Sequence, residues 1–500
     1  MSANFLRATC ALGLFALAAC NDTVEPLGLA GPPATATIVS GNTQLTAVGT
    51  VLPDSLVVLV SDAEGLPVPG VIVEWSASAG VLSQLRDTTN AAGLSAVALT
   101  TPESAGEVTV TATPQGLAAV TFSATASPAA GLLVFRYIDA GSYHACGITT
   151  TEESVCWGFN EDGQAGTGSI ATTAPMTRIS TDRTVRMSSA GRYHSCEVTL
   201  AGEVWCGGSP LEGRTGNPGG ATFAPGFDLA SRVVQAGLLH SCALTLSRQL
   251  WCWGSNSDGQ IGTGPAIPLP GSTSPPKFAL AEVNAVTTTG LHTCAVLVSG
   301  QAQCWGYNAS GQLGDGSTVT SGVPMPVPGL VFRREPDVVP QAPDPDFYIP
   351  GQAYISAGFA HTCGITSADA IVCWGENESG QLGRANFADG STPVPVVGGL
   401  AWRAVSAGFN HSCGLTTDGI AFCWGDNASG QLGDGTLTAS AVPVAVAGGL
   451  VFQSISAGET FSCGVTTNGA AWCWGDNAYG QLATSGGGGS NVPVKLPFQP

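Results

Sequence analysis

Cysteine and histidine recur at a fixed spacing through the second part of the chain. Fourteen of the sixteen cysteines form seven pairs whose members are ten residues apart. The pairs are Cys146 with Cys156, Cys196 with Cys206, Cys242 with Cys252, Cys294 with Cys304, Cys363 with Cys373, Cys413 with Cys423 and Cys463 with Cys473. All six histidines lie two residues before the first cysteine of a pair: His144, His194, His240, His292, His361 and His411. Such residues could bind zinc, or the cysteines could form disulfides.

Disulfides within the pairs are the favoured interpretation. A hairpin centred five residues after the first cysteine places both cysteines opposite each other, about 4.5–5.5 Å apart. Glycine lies third in the turns Thr417-Asp418-Gly419 and Thr467-Asn468-Gly469, where a left-handed residue is needed. The seventh copy has Phe461 in place of histidine and keeps its cysteine pair. We therefore predict fourteen disulfide-bonded cysteines and neither a metal site nor a cofactor.

The histidines are predicted to be structural. Catalytic residues are arranged asymmetrically around one substrate, whereas these occupy one position of a repeat. We expect their ring nitrogens to bond backbone groups of a neighbouring strand or blade. No common catalytic motif is present, and no catalytic residue is assigned. Asp426-Asn427 and Asp434-Gly435 could suggest calcium, but their spacing favours turns.

The cysteine pairs mark a repeat of about 50 residues. The first cysteines of successive copies are 50, 46, 52, 69, 50 and 50 residues apart. A period of this size with short β-type segments is typical of propeller blades, and seven copies can close a ring. The sequence therefore predicts a seven-bladed β-propeller over residues 131–500.

The motifs inside the repeat resemble those of the regulator-of-chromosome-condensation family. Ala-Gly-x-x-His, Trp-Gly and Asn-x-x-Gly-Gln-Leu-Gly recur, most clearly over residues 407–433. Trp157, Trp253, Trp305, Trp374, Trp424 and Trp474 are expected to pack between blades. Blade two departs from the pattern at Gly207 and over Pro210–Gly216. The segment Val492–Leu496 resembles the strand that starts a blade, and we expect it to pair near Leu133–Phe135 and close the ring.

The N-terminus carries an export pattern. Arg7 precedes an apolar run that ends in Leu17-Ala18-Ala19-Cys20, which resembles the lipobox of bacterial lipoproteins. The resemblance implies a signal peptide over residues 1–19, lipidation of Cys20 and a linker over residues 20–33. An ordinary signal peptide is the alternative. We expect an exported protein with a lipid anchor in the membrane, and favour the outer membrane or the cell surface.

Residues 34–128 have the sequence pattern of a separate β-sandwich. Four strands are expected within residues 55–60, 70–75, 93–99 and 106–112, with turn signals between them. Two segments, residues 60–71 and 88–93, resemble the invasin/intimin type of bacterial immunoglobulin-like domain. In that family such domains are spacers or stalks, and no ligand site is expected here.

Net charge and insertions bear on the partners. The formal net charge is −19 and there are only two lysines, so nucleic acid, which needs clustered cations, is not expected. The largest break in the repeat lies at about residues 333–350 and offers a candidate partner loop with Arg333, Arg334, Asp344, Asp346, Phe347 and Tyr348. A surface insertion without function is the alternative. Residues 265–276 are a second candidate.

The combined expectation is an all-β protein in which an immunoglobulin-like sandwich precedes the propeller. We expect a monomeric, non-enzymatic module that binds an unknown protein or surface polymer. Two alternatives remain. The family resemblance implies guanine-nucleotide exchange, which export of the chain disfavours, and a propeller enzyme acting on glycans would need an asymmetric acid/base site.

Overall fold

The computed structural model describes residues 30–47, 50–52, 54–102, 106–127, 133–179, 183–264, 273–334, 354–484 and 487–497. The chain divides into two compact units, Met1–Ala129 and Ala130–Pro500. Cys20 lies outside the described residues, so its lipidation stays a prediction. None of the helices in the described part of the chain has the length and hydropathy of a membrane span.

The first unit consists of antiparallel strands with one parallel pair. Its strands are β1 Thr35–Ser40, β2 Gln44–Ala47, β3 Leu56–Ser61, β4 Ile72–Ala77, β5 Val81–Leu82, β6 Arg86–Thr88, β7 Leu94–Val97, β8 Leu99–Thr100, β9 Gly106–Pro114 and β10 Val120–Ser127. They form a three-stranded sheet in the order β1-β3-β7, a five-stranded sheet in the order β2-β10-β9-β4-β6 and the pair β5-β8. Trp75 and Phe122 are buried in its core with ring centroids 5.6 Å apart. Its immunoglobulin-like identity stays a prediction.

The second unit contains seven four-stranded antiparallel sheets among its described residues, each formed by consecutive strands. We number these blades one to seven. Their strands are β11 Phe135–Ala140, β12 His144–Thr149, β13 Ser154–Phe159 and β14 Thr173–Arg178; β15 Val185–Ala190, β16 His194–Thr199, β17 Val204–Gly208 and β18 Gly220–Pro225; β19 Ser231–Ala236, β20 His240–Thr245, β21 Leu250–Gly254 and β22 Thr273–Leu280; β23 Val283–Thr287, β24 His292–Leu297, β25 Ala302–Gly306 and β26 Ser321–Pro326; β27 Ile355–Ala357, β28 His361–Ile365, β29 Ile371–Gly375 and β30 Gly390–Pro395; β31 Trp402–Ala407, β32 His411–Thr416, β33 Ala421–Gly425 and β34 Ser440–Ala445; and β35 Phe452–Ala457, β36 Phe461–Thr466, β37 Ala471–Gly475 and β38 Ser490–Lys495. This architecture confirms the prediction of a β-propeller.

The meander within each blade defines two ends of the propeller. Because consecutive strands are antiparallel, the loop from the first to the second strand and the loop from the third to the fourth strand lie at the same end. We call this the pocket end, because a central pocket opens there. The tight hairpin between the second and third strands and the connection to the next blade lie at the other end, which we call the hairpin end.

The predicted pairing of the last strand is wrong. β38 pairs with β37 in its own blade, with Cys473 opposite Val494, and β11 pairs with β12. The Val-Pro segment is thus the fourth strand of a blade and not the first. The first and last blades contact each other laterally instead. The indole Nε1 of Trp157 donates to the carbonyl of Gln481 at 2.8 Å, and the amide of Phe135 donates to the carbonyl of Gly469 at 2.8 Å.

Blade two replaces its missing tryptophan with a phenylalanine from another strand. A Cβ atom added to Gly207 would lie 2.8 Å from Cε1 of Phe223, and one added to Gly166 of blade one would lie 2.7 Å from the same atom. At four other junctions a tryptophan covers the corresponding glycine, as Trp305 covers Gly262. The short 3₁₀ turn Leu211–Gly213 follows at the pocket end. The fold therefore tolerates the departure because Phe223 fills the same space.

Candidate functional site

The seven cysteine pairs form disulfides in the structure, each between the second and third strands of one blade. The bonds join Cys146 to Cys156, Cys196 to Cys206, Cys242 to Cys252, Cys294 to Cys304, Cys363 to Cys373, Cys413 to Cys423 and Cys463 to Cys473. This is the predicted pairing. The Cα atoms of each pair are 4.0–4.1 Å apart, closer than the expected 4.5–5.5 Å.

The conformation of the hairpin turns agrees with disulfides. Gly419 and Gly469 have positive φ angles in their hairpins, as the turn chemistry requires. No group of three or more His, Cys, Asp and Glu side chains in the described residues could hold a metal ion. The cysteines are therefore committed to the scaffold of each blade.

Each histidine joins its blade to the next one. Its Nε2 atom lies 2.6–2.8 Å from the hydroxyl oxygen of a serine or threonine in the following blade. The prediction of a backbone partner is therefore wrong, although the inter-blade position is as expected. The pairs are His144–Ser195, His194–Ser241, His240–Thr293, His292–Thr362, His361–Ser412 and His411–Ser462.

The hydroxyl partners fix the protonation of these histidines. The hydroxyl of Ser412 donates to the carbonyl of Gln381 at 3.0 Å, so it can only accept from the imidazole, whose proton is on Nε2. The indole of Trp424 donates to the same carbonyl at 2.8 Å. Burial lowers the pKa of His361 to about 3 and that of His411 to about 4. The histidines are thus neutral at neutral pH, and His361 acts as a structural donor.

The Ala-Gly-x-x-His motif has a packing reason. A Cβ atom added to Gly408 would lie 2.7 Å from Cε1 of His411, so any larger residue would displace the imidazole. Blade four departs from the motif, because Thr288 and Thr289 precede Gly290 there. A Cβ at Gly290 would contact the backbone of Phe359 in blade five. Glycine is therefore required at the inter-blade contact even where the motif is shifted by one residue.

The seventh junction uses an apolar pair in place of the polar one. Phe461 replaces the histidine of blade seven, and Ala145 replaces the hydroxyl residue of blade one; both are fully buried in one hydrophobic cluster. Both members of the hydrogen bond are thus missing together. This pairing identifies the repeated histidine as one half of a junction contact.

A central pocket opens at the pocket end and is lined by all seven blades. The space between its lining residues is about 850 Å³, with open solvent at the mouth included. Its wall is a belt of side chains from the end of each first strand, and in most blades this side chain is a hydroxyl that accepts a backbone amide of a neighbouring blade. Ser356 accepts from Ala407 at 2.9 Å, and Ser406 from Ala457 at 2.9 Å. The belt therefore ties the blades together around the pocket.

One carboxylate interrupts this belt. Asp139 occupies the hydroxyl position in blade one, accepts the amide of Ala190 at 2.8 Å and receives the hydroxyl of Ser456 at 3.2 Å. Burial raises the pKa of Asp139 above its ordinary value, while the bonds to Ala190 and Ser456 oppose that rise. Blade three has the neutral Gln235 at this position. The belt thus has one acidic group among otherwise neutral side chains.

An asymmetric group of side chains lies at the mouth of the pocket, where blades seven, one and two meet. We call Tyr143, Phe159, Arg192, Glu459 and Tyr479 the junction cluster. The three aromatic rings contact one another with centroids 4.9–6.1 Å apart. Arg192 lies 3.4 Å from the carboxylate of Glu459 and packs over the ring of Tyr143.

Hydrogen bonding fixes the phenol within the junction cluster. The hydroxyl of Tyr143 donates to Oε1 of Glu459 at 2.6 Å and accepts from Arg192 at 3.3 Å. Burial and then this bond raise the pKa of Tyr143 to about 12. The cluster therefore presents a fixed, half-buried surface with aromatic, cationic and anionic groups, which is suited to contact another molecule.

The predicted partner loop is described only at its first two residues. Arg333 pairs with Asp369 at 3.1 Å and packs over the ring of Tyr354, and Arg334 donates to the carbonyl of Val298. Both arginines are thus engaged at the hairpin end. The rest of that candidate loop, Asp344, Asp346, Phe347 and Tyr348, lies outside the described residues, as do residues 265–272 of the second candidate.

Acidic turn residues have local partners. Oδ1 of Asp434 accepts the amide of Thr436 at 2.9 Å, and the amide of Asn427 donates to the same carboxylate at 3.2 Å. Asp426 accepts Nε2 of Gln431 at 2.9 Å. These contacts agree with the interpretation of both segments as turns.

The junction cluster was not predicted from the sequence, because the candidate sites were placed in the insertions between repeats. The signal lay inside the repeat, in the two residues between glycine and histidine. These are Ser-Tyr in blade one, Arg-Tyr in blade two and Glu-Thr in blade seven. Residues that differ between copies at an exposed position of a repeated frame are candidates for specific contacts.

Comparisons with known proteins agree with this geometry. A model of the regulator of chromosome condensation (RCC1) repeat matches residues 135–164, 233–260, 353–381, 402–431 and 452–481, and a second matches residues 299–339, 371–415 and 418–465. An RCC1 domain-containing mitochondrial protein of Arabidopsis thaliana, RUG3, is 29% identical over 120 residues. The match covers 24% of this chain and 23% of that relative.

Solved structures show the same fold at low identity. Human WBSCR16 is 18% identical with a TM-score of 0.58, and the match covers 69% of this chain and 93% of that one. Prp20p of Saccharomyces cerevisiae is 18% identical with a TM-score of 0.57, and the match covers 71% and 87%. The second unit of this chain is therefore a β-propeller that carries repeats of the regulator of chromosome condensation family.

Proposed function

We propose that this chain is an exported, lipid-anchored protein whose propeller binds another protein or a surface polymer without catalysing a reaction. The immunoglobulin-like unit serves as a spacer between the lipidated Cys20 and the propeller. The seven buried disulfides support export, because disulfides persist in oxidising compartments. The lipobox-like sequence supports the anchor.

The observation that carries the binding role is the contrast between the repeated residues and the junction cluster. Every histidine is buried and hydrogen-bonds a hydroxyl of the next blade, so these side chains are occupied by the scaffold. The junction cluster occurs once, at the mouth of the central pocket, and combines three aromatic rings with an ion pair. Such groups dominate the energy of protein contacts.

Similar structures give a precedent for protein binding by this fold. Yeast RCC1 (Prp20), 19% identical over 68% of this chain with a TM-score of 0.56, was solved bound to Kap60. Prp20p is likewise described with binding properties to Gsp1p and histones. Those partners belong to those proteins. Nucleotide exchange is not the favoured function here, because an exported propeller would not meet a cytosolic GTPase.

A site-specific cross-linker tests the proposal in the cell that makes the protein. A photoreactive phenylalanine analogue replaces Tyr479 in the junction cluster and, as the matched control, Val331 at the hairpin end, whose side chain is exposed. We expect light-dependent adducts of one defined mass from position 479 and none of that mass from position 331. A protein adduct identifies a protein partner, and a glycan adduct a polymer. Absence of an adduct at position 479 would contradict binding there.

A further inference from the structure

The two ends of the propeller differ in charge. Among the described residues, the loops of the pocket end carry twelve carboxylates and three guanidinium groups. The loops of the hairpin end carry seven carboxylates and four cations. The carboxylates of residues 180–182 and 335–353 lie outside the described residues and are not counted.

Cations within the strands increase this difference. Arg136, Arg186, Arg232 and Arg403 are each the second residue of the first strand of a blade, next to the hairpin end. Arg178 and Lys495 end the fourth strands of blades one and seven at the same end. Because nearby like charges add to the local potential, the pocket end carries the larger excess of negative charge among the residues that the structure describes.

Two buried amides at the pocket end lack partners. Gln260 and Gln312 are fully buried, and their Nε2 atoms have no hydrogen-bond partner. In blades five, six and seven the corresponding Nε2 donates to a carboxylate that follows Trp-Gly, as Gln431 does to Asp426. Blades three and four have Ser255 and Tyr307 at that position. Blades three and four therefore lack the internal bond to a carboxylate that blades five, six and seven form.

Apolar groups are exposed at the same end. Val319, Phe387 and Leu437 lie in the loops between the third and fourth strands of blades four, five and six and are 57–70% exposed. Leu246 and Val331 are exposed at the hairpin end, so apolar exposure alone does not distinguish the ends. The pocket, the junction cluster and the larger excess of carboxylates occur together only at the pocket end among the described residues.

We propose that the pocket end docks a lysine- or arginine-rich segment of another protein. The inference rests on the proposed binding function and names its face and the chemistry of its partner. Cationic side chains of the segment are attracted by the carboxylate-rich loops and can approach Asp139 and the stacked rings of Phe359 and Phe409 at the pocket. Apolar side chains of the segment can contact Val319, Phe387 and Leu437, which are exposed at this end. A polyamine has the charge but has no such side chains.

Two triple variants of the full-length protein test the proposal. The first, Glu161→Gln/Asp258→Asn/Glu378→Gln, removes three charges from the pocket end; the second, Glu203→Gln/Glu282→Gln/Asp418→Asn, removes three from the hairpin end. Both change the net charge equally. The probes are a synthetic peptide of lysine, arginine and leucine, a peptide of the same length with glutamate for each cation, and spermine. Thermal melting of each variant verifies folding.

We expect the cationic peptide to bind the parent protein more tightly than spermine and the acidic peptide to show no binding. The pocket-end variant should lose about tenfold in affinity, and the hairpin-end variant should lose less than about threefold. Equal losses would show attraction by net charge only, and absence of peptide binding at low salt would overturn the docking proposal. Propeller self-association lost in the pocket-end variant would also overturn it, in favour of a second copy as the occupant. A Tyr479 cross-link to a partner without a cationic segment would refute this inference and leave the proposed function standing.

Discussion

Six junctions between neighbouring blades differ from the seventh. In six, an imidazole and a hydroxyl of the next blade form a hydrogen bond; in the seventh, Phe461 packs near Ala145. The disulfide of blade seven is nevertheless formed like the others. The histidine and the hydroxyl are therefore replaced together, as one unit, and this unit is independent of the cysteines. A position repeated around the ring serves the scaffold, and specific contacts are to be sought where copies differ.

Acid should have the largest effect on the six polar junctions. Burial lowers the pKa of His144, His240, His292 and His361 to about 3, below the value of about 6.5 in an unfolded chain. The unfolded chain therefore binds these protons first, so the stabilisation is fully present above about pH 6.5 and is lost as pH falls towards 3. As pH falls through that window, each histidine should lower the free energy of unfolding by about 1.4 kcal/mol per pH unit.

Thermal melting between about pH 7.5 and about pH 4.5 measures this dependence. The transition should shift steeply to lower temperature below about pH 6.5. A variant with one junction converted to the apolar type, His361→Phe/Ser412→Ala, should have a shallower slope. A melting temperature that does not change with pH in this range would mean that the histidines are not buried and neutral.

Removal of single disulfides should have the next largest effect, and the effect should be equal in both kinds of blade. Replacing Cys413 and Cys423 by alanine in blade six, or Cys463 and Cys473 in blade seven, opens a loop of the same length. Each double variant should lose roughly 3 kcal/mol of unfolding free energy, measured by denaturant titration. A blade-six variant that loses far more, or whose loss depends on added zinc, would revive a histidine–cysteine metal site.

Breaking one half of a polar junction should cost less. Ser412→Ala leaves the Nε2 proton of His361 without its acceptor, and we expect a loss of about 2 kcal/mol of unfolding free energy. Adding His361→Phe should recover part of that loss, because the second change removes the orphaned donor. Additive losses in a double-mutant cycle would refute the pairing of the two residues.

The opposite change at the apolar junction should have the smallest effect. Ala145→Ser adds a hydroxyl beside Phe461 where no imidazole donates to it, and we expect a cost of about 1 kcal/mol. Adding Phe461→His to the same chain should recover that loss at least in part, as judged by denaturant titration. A stabilising effect of the serine alone would show that the seventh junction does not depend on its partner.

The repeat frame could be predicted from the sequence because it follows from spacing. The cysteine pairs, the hairpin glycines and the tryptophans recur in phase, so one hairpin register accounts for every copy. The partners of the histidines could not be predicted, because the hydroxyl lies in another blade, 47 to 70 residues away along the chain. The pairing of Val492–Leu496 was wrong because a Pro-containing edge strand has the same local pattern at either edge of a sheet.

The candidate site was harder to predict than the fold. Tyr143, Arg192 and Glu459 come from three blades, and only closure of the ring brings the last of them near the first two. Spacing along the chain carries no sign of that contact. The charge difference between the ends likewise depends on which loops share an end, which the antiparallel order of the strands decides.

The intact mass of the protein tests most directly whether the chain is exported and lipid-anchored. The protein is isolated from the membranes of its own cells, and its mass is measured before and after reduction and alkylation. The account predicts a chain that begins at Cys20, a mass increase from lipid on that residue, and fourteen cysteines that react only after reduction. An unprocessed N-terminus with freely alkylated cysteines would contradict it, since the chain would then remain in a reducing compartment.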